Sequence, residues 1–177
     1  MNARHSKKTV RWGTPPEWVE MACMALGGRP DLDPMSEPKF NEVVRADRFF
    51  TKKNNSLNQP WQCKRMVINP AGGLVVDAWR KLAGNWANGA IKRAVWFGFS
   101  VEQLCVLADE PLHPMDFSVL TCRKRIDFLT QRLKPGSRPS HGNYVVGIGM
   151  PAADFERAFA GRGRFDHGKH AVQPERR

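Results

Sequence analysis

The sequence predicts an α/β fold: one compact domain with an open, mostly parallel sheet and some antiparallel additions at its edge. Two segments, 65–69 (RMVIN) and 93–100 (RAVWFGFS), contain apolar runs of the kind found in central parallel strands that are covered on both faces. Helix-like patterns follow both runs, so the middle of the chain alternates strand, helix, strand, helix. With 177 residues, 41% of them hydrophobic, the chain is long enough to bury one core.

Helix signals surround the first of these strands. Near the start of the chain we expect a helix with Thr14 as N-cap, Pro15 at its first position and Glu17 completing a capping box. Two glycines at 27–28 should end it. A further helix is expected over 78–89, after Asp77 and the first apolar strand.

The remaining elements are weaker signals. DLDP (31–34) suits the end of a short strand, with an Asx turn as the alternative. Ser100 and Gln103 form a second capping box that opens a short helix. RKRIDFLT (123–130) and NYVVGIG (143–149) are expected to be additional strands.

Both ends of the chain are basic and poor in apolar residues. We therefore expect flexible tails over 1–10 and 161–177 around a folded domain at 11–160. The net charge of +11 and the pI near 10 favour a polyanionic partner, with nucleic acid as the natural candidate. A basic surface that serves only solubility is the alternative.

Other classes of protein are disfavoured. No apolar run reaches the roughly 18 residues of a membrane span, and the start lacks the apolar region of a secretory signal, so we expect a cytoplasmic protein. The four cysteines form no C-x-x-C pair and the five histidines are scattered, which predicts free thiols and no metal site. No protein partner is evident.

A candidate site follows from where the expected strands end. In open α/β sheets, ligands bind beyond the carboxyl ends of the strands. Asp33, Asn69 and residues 98–100 should all arrive there. Asn69-Pro70 offers an amide oxygen and a backbone carbonyl that could accept hydrogen bonds from the exocyclic amine of a base. The small residues at 71–73 would leave room for a base rotated out of a duplex.

Four segments together resemble the phage-type, Dam-like DNA N6-adenine methyltransferases. They are RWGTPPEWV (11–19), DLDP (31–34), SLNQPWQCKRMVINPAGG (56–73) and SRPSHGN (137–143), and the resemblance spans most of residues 11–149. It implies a Rossmann-like fold that uses S-adenosylmethionine and methylates adenine in DNA, which protects phage DNA from restriction in the host cytoplasm.

The resemblance also implies roles for individual residues. Asn69 and Pro70 would be the catalytic pair. Residues near the cofactor would be Thr14, Pro15, Asp31, Asp33 and Pro34. Residues near the DNA would be Ala71, Gly72, Gly73, Phe99, Arg138, His141 and Asn143, although His141 and Asn143 could equally serve the loop alone.

The catalytic motif departs from the family pattern, which reads Asp or Asn, Pro, Pro and an aromatic residue. Here Pro70 is followed by Ala71 and Gly72, so the aromatic platform for the flipped base is missing. Three aromatic residues at 96, 97 and 99 are possible substitutes. Two alternatives therefore stay open: a weak or inactive methyltransferase-like protein that binds DNA, and transfer of a group larger than methyl.

Overall fold

The computed structural model describes residues 11–136 and 141–172, which form one α/β unit around a seven-stranded sheet. The strands are β1 (Leu32–Asp33), β2 (Arg48–Phe49), β3 (Cys63–Ile68), β4 (Ile91–Gly98), β5 (Ser118–Cys122), β6 (Tyr144–Ile148) and β7 (Gly163–His167). The α-helices are α1 (Pro16–Leu26), α2 (Pro38–Val44), α3 (Val75–Ala87), α4 (Gln103–Val106) and α5 (Ala152–Ala158).

The sheet has the strand order β2-β1-β3-β4-β6-β5-β7 and is mixed. The pairings from β2 through β4 are parallel, whereas β6 is antiparallel to both β4 and β5, and β7 is antiparallel to β5. The expectation of a mostly parallel sheet is corrected, because the antiparallel pairings join more residues than the parallel ones. An apolar run shows that a strand is buried but not which way it runs.

Successive side chains of the central strands enter two separate cores, one on each face of the sheet. Val67, Val95 and Val145 pack with α1 and α5 on one face. Met66, Trp96 and Val146 pack with α3 on the other. This alternation explains why β3 and β4 read as continuous apolar runs, since both of their faces are covered.

The ends of α1 agree only partly with the sequence signals. Its C-cap is Gly27 in the left-handed conformation (φ 73°), which confirms the expected stop. Its N-cap, however, is Pro15, and no side chain caps the helix, so the predicted capping box of Thr14 and Glu17 is wrong. The Thr14 hydroxyl instead lies 3.5 Å from the amide nitrogen of Asn69.

Two expectations for the second half of the chain are also corrected. Residues 123–130 do not form a strand but follow β5, which lies just before them and which the sequence did not reveal. Residues 161–172 are not a flexible tail, because 163–167 form β7 and pair with β5. The strand is half-buried and charged, so its sequence pattern resembles that of a tail. The predicted tails over 1–10 and 173–177 lie outside the described residues.

Other properties of the described chain bear on the class of protein. None of the helices in residues 11–136 and 141–172 is long and apolar enough to cross a membrane. All four cysteines are free thiols. Burial raises the pKa of both Cys63 and Cys122 to about 12, so these two thiols stay protonated at neutral pH.

The close contact between β4 and β6 predicts a stability difference between two glycine variants. A Cβ at Gly98 would collide with the Tyr144 ring, whereas one at Gly84, in the exposed middle of α3, would meet open space. We expect Gly98→Ala to lower the free energy of unfolding by about 1 to 3 kcal/mol through overpacking. Gly84→Ala should raise it by about 0.5 to 1 kcal/mol through helix propensity. Urea unfolding measures both, and equal effects would contradict the packing described.

Candidate functional site

The candidate site lies at the point where the strand order reverses. After β1 the chain forms β2 on one side and then β3 on the other side, so β1 and β3 flank a topological switch point. Asp33 ends β1 and Asn69 directly follows β3, and the two strands pair through Leu32 and Met66. The backbones of β1 and β3 are about 4.8 Å apart, as in any neighbouring strands. Asp33 lies one residue beyond the Leu32–Met66 pair and Asn69 lies three residues beyond it. The crevice at such a point is where open α/β sheets bind ligands.

The side chain of Asn69 is held in one orientation by the segment 11–14. Its amide nitrogen donates to the Trp12 carbonyl at 2.9 Å and lies 3.5 Å from the Thr14 hydroxyl. Because a backbone carbonyl only accepts, the nitrogen must face Trp12 and the amide oxygen must point elsewhere. Within the described part of the chain this oxygen has no donor, and Asn69 is half-buried. The site thus presents one free acceptor.

The segment 11–14 is itself fixed across the carboxyl edge of the sheet. Gly13 exchanges two backbone hydrogen bonds with Leu129, at 2.8 and 2.7 Å. A side chain at position 13 would collide with the ring of Phe40, so the close approach requires glycine. At the start of the segment, the buried Arg11 donates to the Ser36 carbonyl at 2.6 Å. This segment, 11–14, is named here the strap, and it spans from the β1 side of the site to the loop after β5.

Asp33 is a buried carboxylate at the carboxyl end of β1. Only 6% of the residue is exposed, and one oxygen accepts from the Met35 backbone at 3.2 Å. Burial raises its pKa to about 6, although hydrogen bonds from Met35 and Ser36 and the charge of Arg11 oppose that rise. At neutral pH the group is mostly charged and keeps acceptor capacity for a ligand. Burial in turn lowers the pKa of Arg11, which Glu37 and Asp33 oppose.

Asp31 is placed differently from Asp33, at the amino end of β1. Its carboxylate accepts from the backbone of Lys64 at 2.7 Å and of Arg65 at 3.1 Å, and it pairs with the Arg65 side chain at 3.3 Å. These bonds tie β1 to the start of β3. Its predicted contact with a cofactor stays a prediction, whereas Thr14, Pro15 and Pro34 are buried beside the carboxyl edge.

The turn after Asn69 changes from buried to exposed. Pro70 and Ala71 are buried, and Gly72 and Gly73 are exposed. Ala71 has φ −63° and ψ 139°, a backbone conformation that proline also adopts. A Cβ at Gly72 would have no heavy atom of a non-adjacent described residue within 4 Å. Open space therefore surrounds the position where the family pattern has an aromatic residue.

The predicted DNA-contacting residues beyond β4 form a second group at the same edge. Phe99 is half-buried, and its ring centroid lies 6.0 Å from Phe128 and 6.1 Å from His141. Trp96 and Phe97 are fully buried in the two cores, which leaves Phe99 as the accessible aromatic of the three. His141 is exposed and lies 3.7 Å from Glu102.

The side chain of Asn143 connects the end of β4 to the loop after β5. It is fully buried, its nitrogen donates to the Phe99 carbonyl at 2.6 Å, and its oxygen accepts from the Ile126 backbone at 2.6 Å. Its predicted DNA contact stays a prediction, and Arg138 lies outside the described residues. Trp12 and Arg11 were not singled out from the sequence as site residues, since only their contacts in the folded chain bring them here.

Neither a metal-ligand cluster among the described residues nor a known relative indicates what reaction the site would support. Among residues 11–136 and 141–172, no three His, Cys, Asp or Glu side chains cluster as metal ligands would. Comparisons with protein-family models, curated proteins and solved structures give no match. The geometry and the sequence motifs alone must therefore carry the functional argument.

The raised pKa of Asp33 predicts a pH-dependent effect of neutralising it. A carboxyl with a folded pKa of about 6 and an unfolded pKa near 3.9 takes up its proton more readily when folded. Ionisation of Asp33 therefore lowers the free energy of unfolding as the pH rises from about 4 to 6, and this loss stays constant above that range. Asp33→Asn should have a free energy of unfolding higher than that of wild type at pH 8, by up to about 2 to 3 kcal/mol. The difference should vanish near pH 4.

Asp31→Asn is the matched control for this measurement. It weakens the bonds to the start of β3 and should destabilise the chain at pH 8. Denaturant unfolding at several pH values measures both variants. A destabilising Asp33→Asn at pH 8 would show that the folded chain needs the charge at this position.

Proposed function

We propose that this chain is an S-adenosylmethionine-dependent DNA adenine N6-methyltransferase with a Rossmann-like fold. The observation that carries the proposal is the anchored amide of Asn69, whose oxygen is left free at the end of β3, while the buried Asp33 ends the neighbouring strand β1 at a switch point of the sheet. The four motif segments that resemble the phage-type family support it, because two of them supply these two residues.

The residues at the switch point suit S-adenosylmethionine. When bound, this compound supplies a methyl group that is electrophilic because it is attached to a sulfonium. Asp33 is charged at neutral pH and would accept hydrogen bonds from the amine or the ribose hydroxyls. Thr14 and Pro15 would line the same crevice at the start of α1. The cation of Arg11 pairs with Glu37 at 3.4 Å and also interacts electrostatically with Asp33.

Asn69 and Pro70 would act on the adenine amine. The lone pair of this amine is delocalised into the purine ring, which makes it a poor nucleophile. Two acceptors, the Asn69 amide oxygen and the adjacent backbone carbonyl, would bind its N–H groups and favour the pyramidal form. Trp12 and Thr14 keep the amide turned so that its oxygen, and not its nitrogen, meets the base. Since Asn69 is half-buried, water can take the proton that the amine loses.

The biological role follows from the resemblance alone. Methylated adenine would protect phage DNA from restriction in the host cytoplasm, and the net charge of +11 suits a DNA substrate.

A weak or inactive DNA-binding protein is the second candidate, and the turn at 71–73 is what favours it. No side chain at Gly72 fills the place of the family's aromatic residue, and base stacking is worth about 1 to 3 kcal/mol. Phe99, or Trp12 in the strap, would have to supply that platform. Transfer of a larger group is the third candidate, which nucleoside mass spectrometry separates from methylation.

Changing Asn69 tests the proposed mechanism directly. Wild-type protein should transfer radiolabelled methyl from S-adenosylmethionine to unmethylated phage DNA and produce N6-methyladenine. Asn69→Ala should lower the rate at least 100-fold, by analogy with the removal of one transition-state hydrogen-bonding group. Asn69→Asp should also lose most activity, because a carboxylate oxygen would then face the Trp12 carbonyl.

The readouts are scintillation counting and nucleoside mass spectrometry. Full activity of Asn69→Ala would refute the catalytic role. Absence of label with folded wild-type protein would favour the inactive DNA-binding alternative.

The open space at Gly72 predicts a gain of function. Gly72→Tyr should strengthen base binding and raise kcat/KM about 5-fold or more, because stacking contributes roughly 1 to 3 kcal/mol per base. Gly72→Ala adds a Cβ without a ring and is the control. Adding Ala71→Pro, which suits the existing backbone, restores the family's full motif. Equal kcat/KM values for the Tyr and Ala variants would show that a platform already exists elsewhere.

A further inference from the structure

We propose that residues 123–136, named here the basic loop, bind the phosphate backbone of duplex DNA next to the site. This proposal rests on the proposed function for the identity of the nucleic acid. It goes beyond that function by assigning the contact to one element that the motif resemblance did not include.

The topology of the sheet places the basic loop on the site's side of the molecule. β5 runs in the same direction as β4, because both are antiparallel to β6. The carboxyl end of β5 therefore lies at the same edge as the carboxyl ends of β1, β3 and β4. Across that edge, Gly98 and Thr121 both pair with Tyr144. The basic loop begins two residues after Thr121.

The charge of the loop is strongly one-sided. It contains five cationic residues and a single acidic one, Asp127. All five cations are exposed. Four of them form no ion pair within the described residues: Arg123, Lys124, Arg132 and Lys134. Unpaired, solvated cations can exchange their counterions for phosphate without first breaking an internal bond.

The backbone of the loop is fixed even though its cations are exposed. Ile126, Phe128 and Leu129 are buried and anchor it in the protein. The Thr130 amide donates to the Lys134 carbonyl at 2.8 Å, and the Gly136 amide donates to the Phe128 carbonyl at 2.8 Å. A preformed loop loses little backbone entropy when it binds a partner.

Hydrogen bonds connect the loop to the catalytic amide. Leu129 exchanges two bonds with Gly13, and the neighbouring Trp12 accepts from Asn69. Phosphate contacts on the loop would thus hold the duplex at a fixed position relative to the residue that receives the flipped base. Backbone contacts of this kind position a protein without reading sequence, which suits a chain with little room for a recognition domain.

The test compares two pairs of charge removals of equal size. Arg132→Gln with Lys134→Gln changes the basic loop. Lys64→Gln with Lys92→Gln changes two exposed lysines near the amino ends of β3 and β4, at the opposite edge of the sheet. Both double variants lower the net charge by the same amount, and exposed substitutions of this kind change stability by about 0.5 kcal/mol or less. Thermal unfolding checks that both remain folded.

The measurement is the Kd for a fluorescent duplex of about 20 base pairs at several NaCl concentrations, since counterion release makes log K linear in log salt. The loop variant should reduce the slope by about 1 to 2, since each phosphate contact contributes about 0.9. It should also bind at least 10-fold more weakly at low salt. The control variant should keep the wild-type slope.

Equal changes in the two variants would overturn the proposal, because they would show a general effect of charge. Loss of binding to an RNA hairpin with unchanged binding to duplex DNA would also overturn it. Methyl transfer is measured separately on the same proteins. Loop-dependent DNA binding without transfer would refute the enzyme but leave this surface standing, and transfer with unaltered binding would refute the surface alone.

Discussion

The antiparallel insertion of β6 between β4 and β5 is the constraint on which the functional edge depends. It makes the carboxyl ends of β4 and β5 meet the amino end of β6, so the connection over 123–143 must begin and end at that edge. Buried Asn143 completes the junction by bonding Phe99 and Ile126 at 2.6 Å each. Without that reversal, β5 would run the other way and the cations of the loop would lie on the opposite side from Asn69.

The strap 11–14 converts this edge into an organised site. It joins three parts of the chain that are distant in sequence: the loop after β1, the turn that begins at Asn69 and the basic loop. Its backbone carbonyl at Trp12 satisfies the donor half of the Asn69 amide and leaves the acceptor half unused. A half-buried amide with one satisfied group is oriented before any ligand arrives, and such preorganisation is what electrostatic catalysis requires.

The sequence predicts the elements whose burial produces a pattern of apolar residues. It does not predict an element that is held mainly by backbone hydrogen bonds. The strands β3, β4 and β6 and the helices α1 and α3 were expected, because continuous apolar runs and 3.6-residue periodicity mark covered elements. β7 was missed because it is a charged edge strand held by its hydrogen bonds to β5. Asp33 and Asn69 lie at the ends of β1 and β3, as the sequence predicts, and their roles in a site stay a prediction. The contact of Trp12 with Asn69 spans 57 positions, and no local pattern encodes a contact of that length.

The burial of Asp33 supports the proposed cofactor site at this edge. A carboxyl at 6% exposure with a pKa near 6 is charged at neutral pH against the cost of desolvation. Only one backbone N–H, one serine hydroxyl and the field of Arg11 offset that cost, and Arg11 is itself buried. A leucine or an asparagine would avoid the cost at this position. Buried charged groups with shifted pKa values cluster where ligands bind, because a ligand can supply the hydrogen bonds or the opposite charge that the protein does not provide. A cationic or hydroxyl-bearing ligand at the switch point, such as S-adenosylmethionine, would supply it to Asp33.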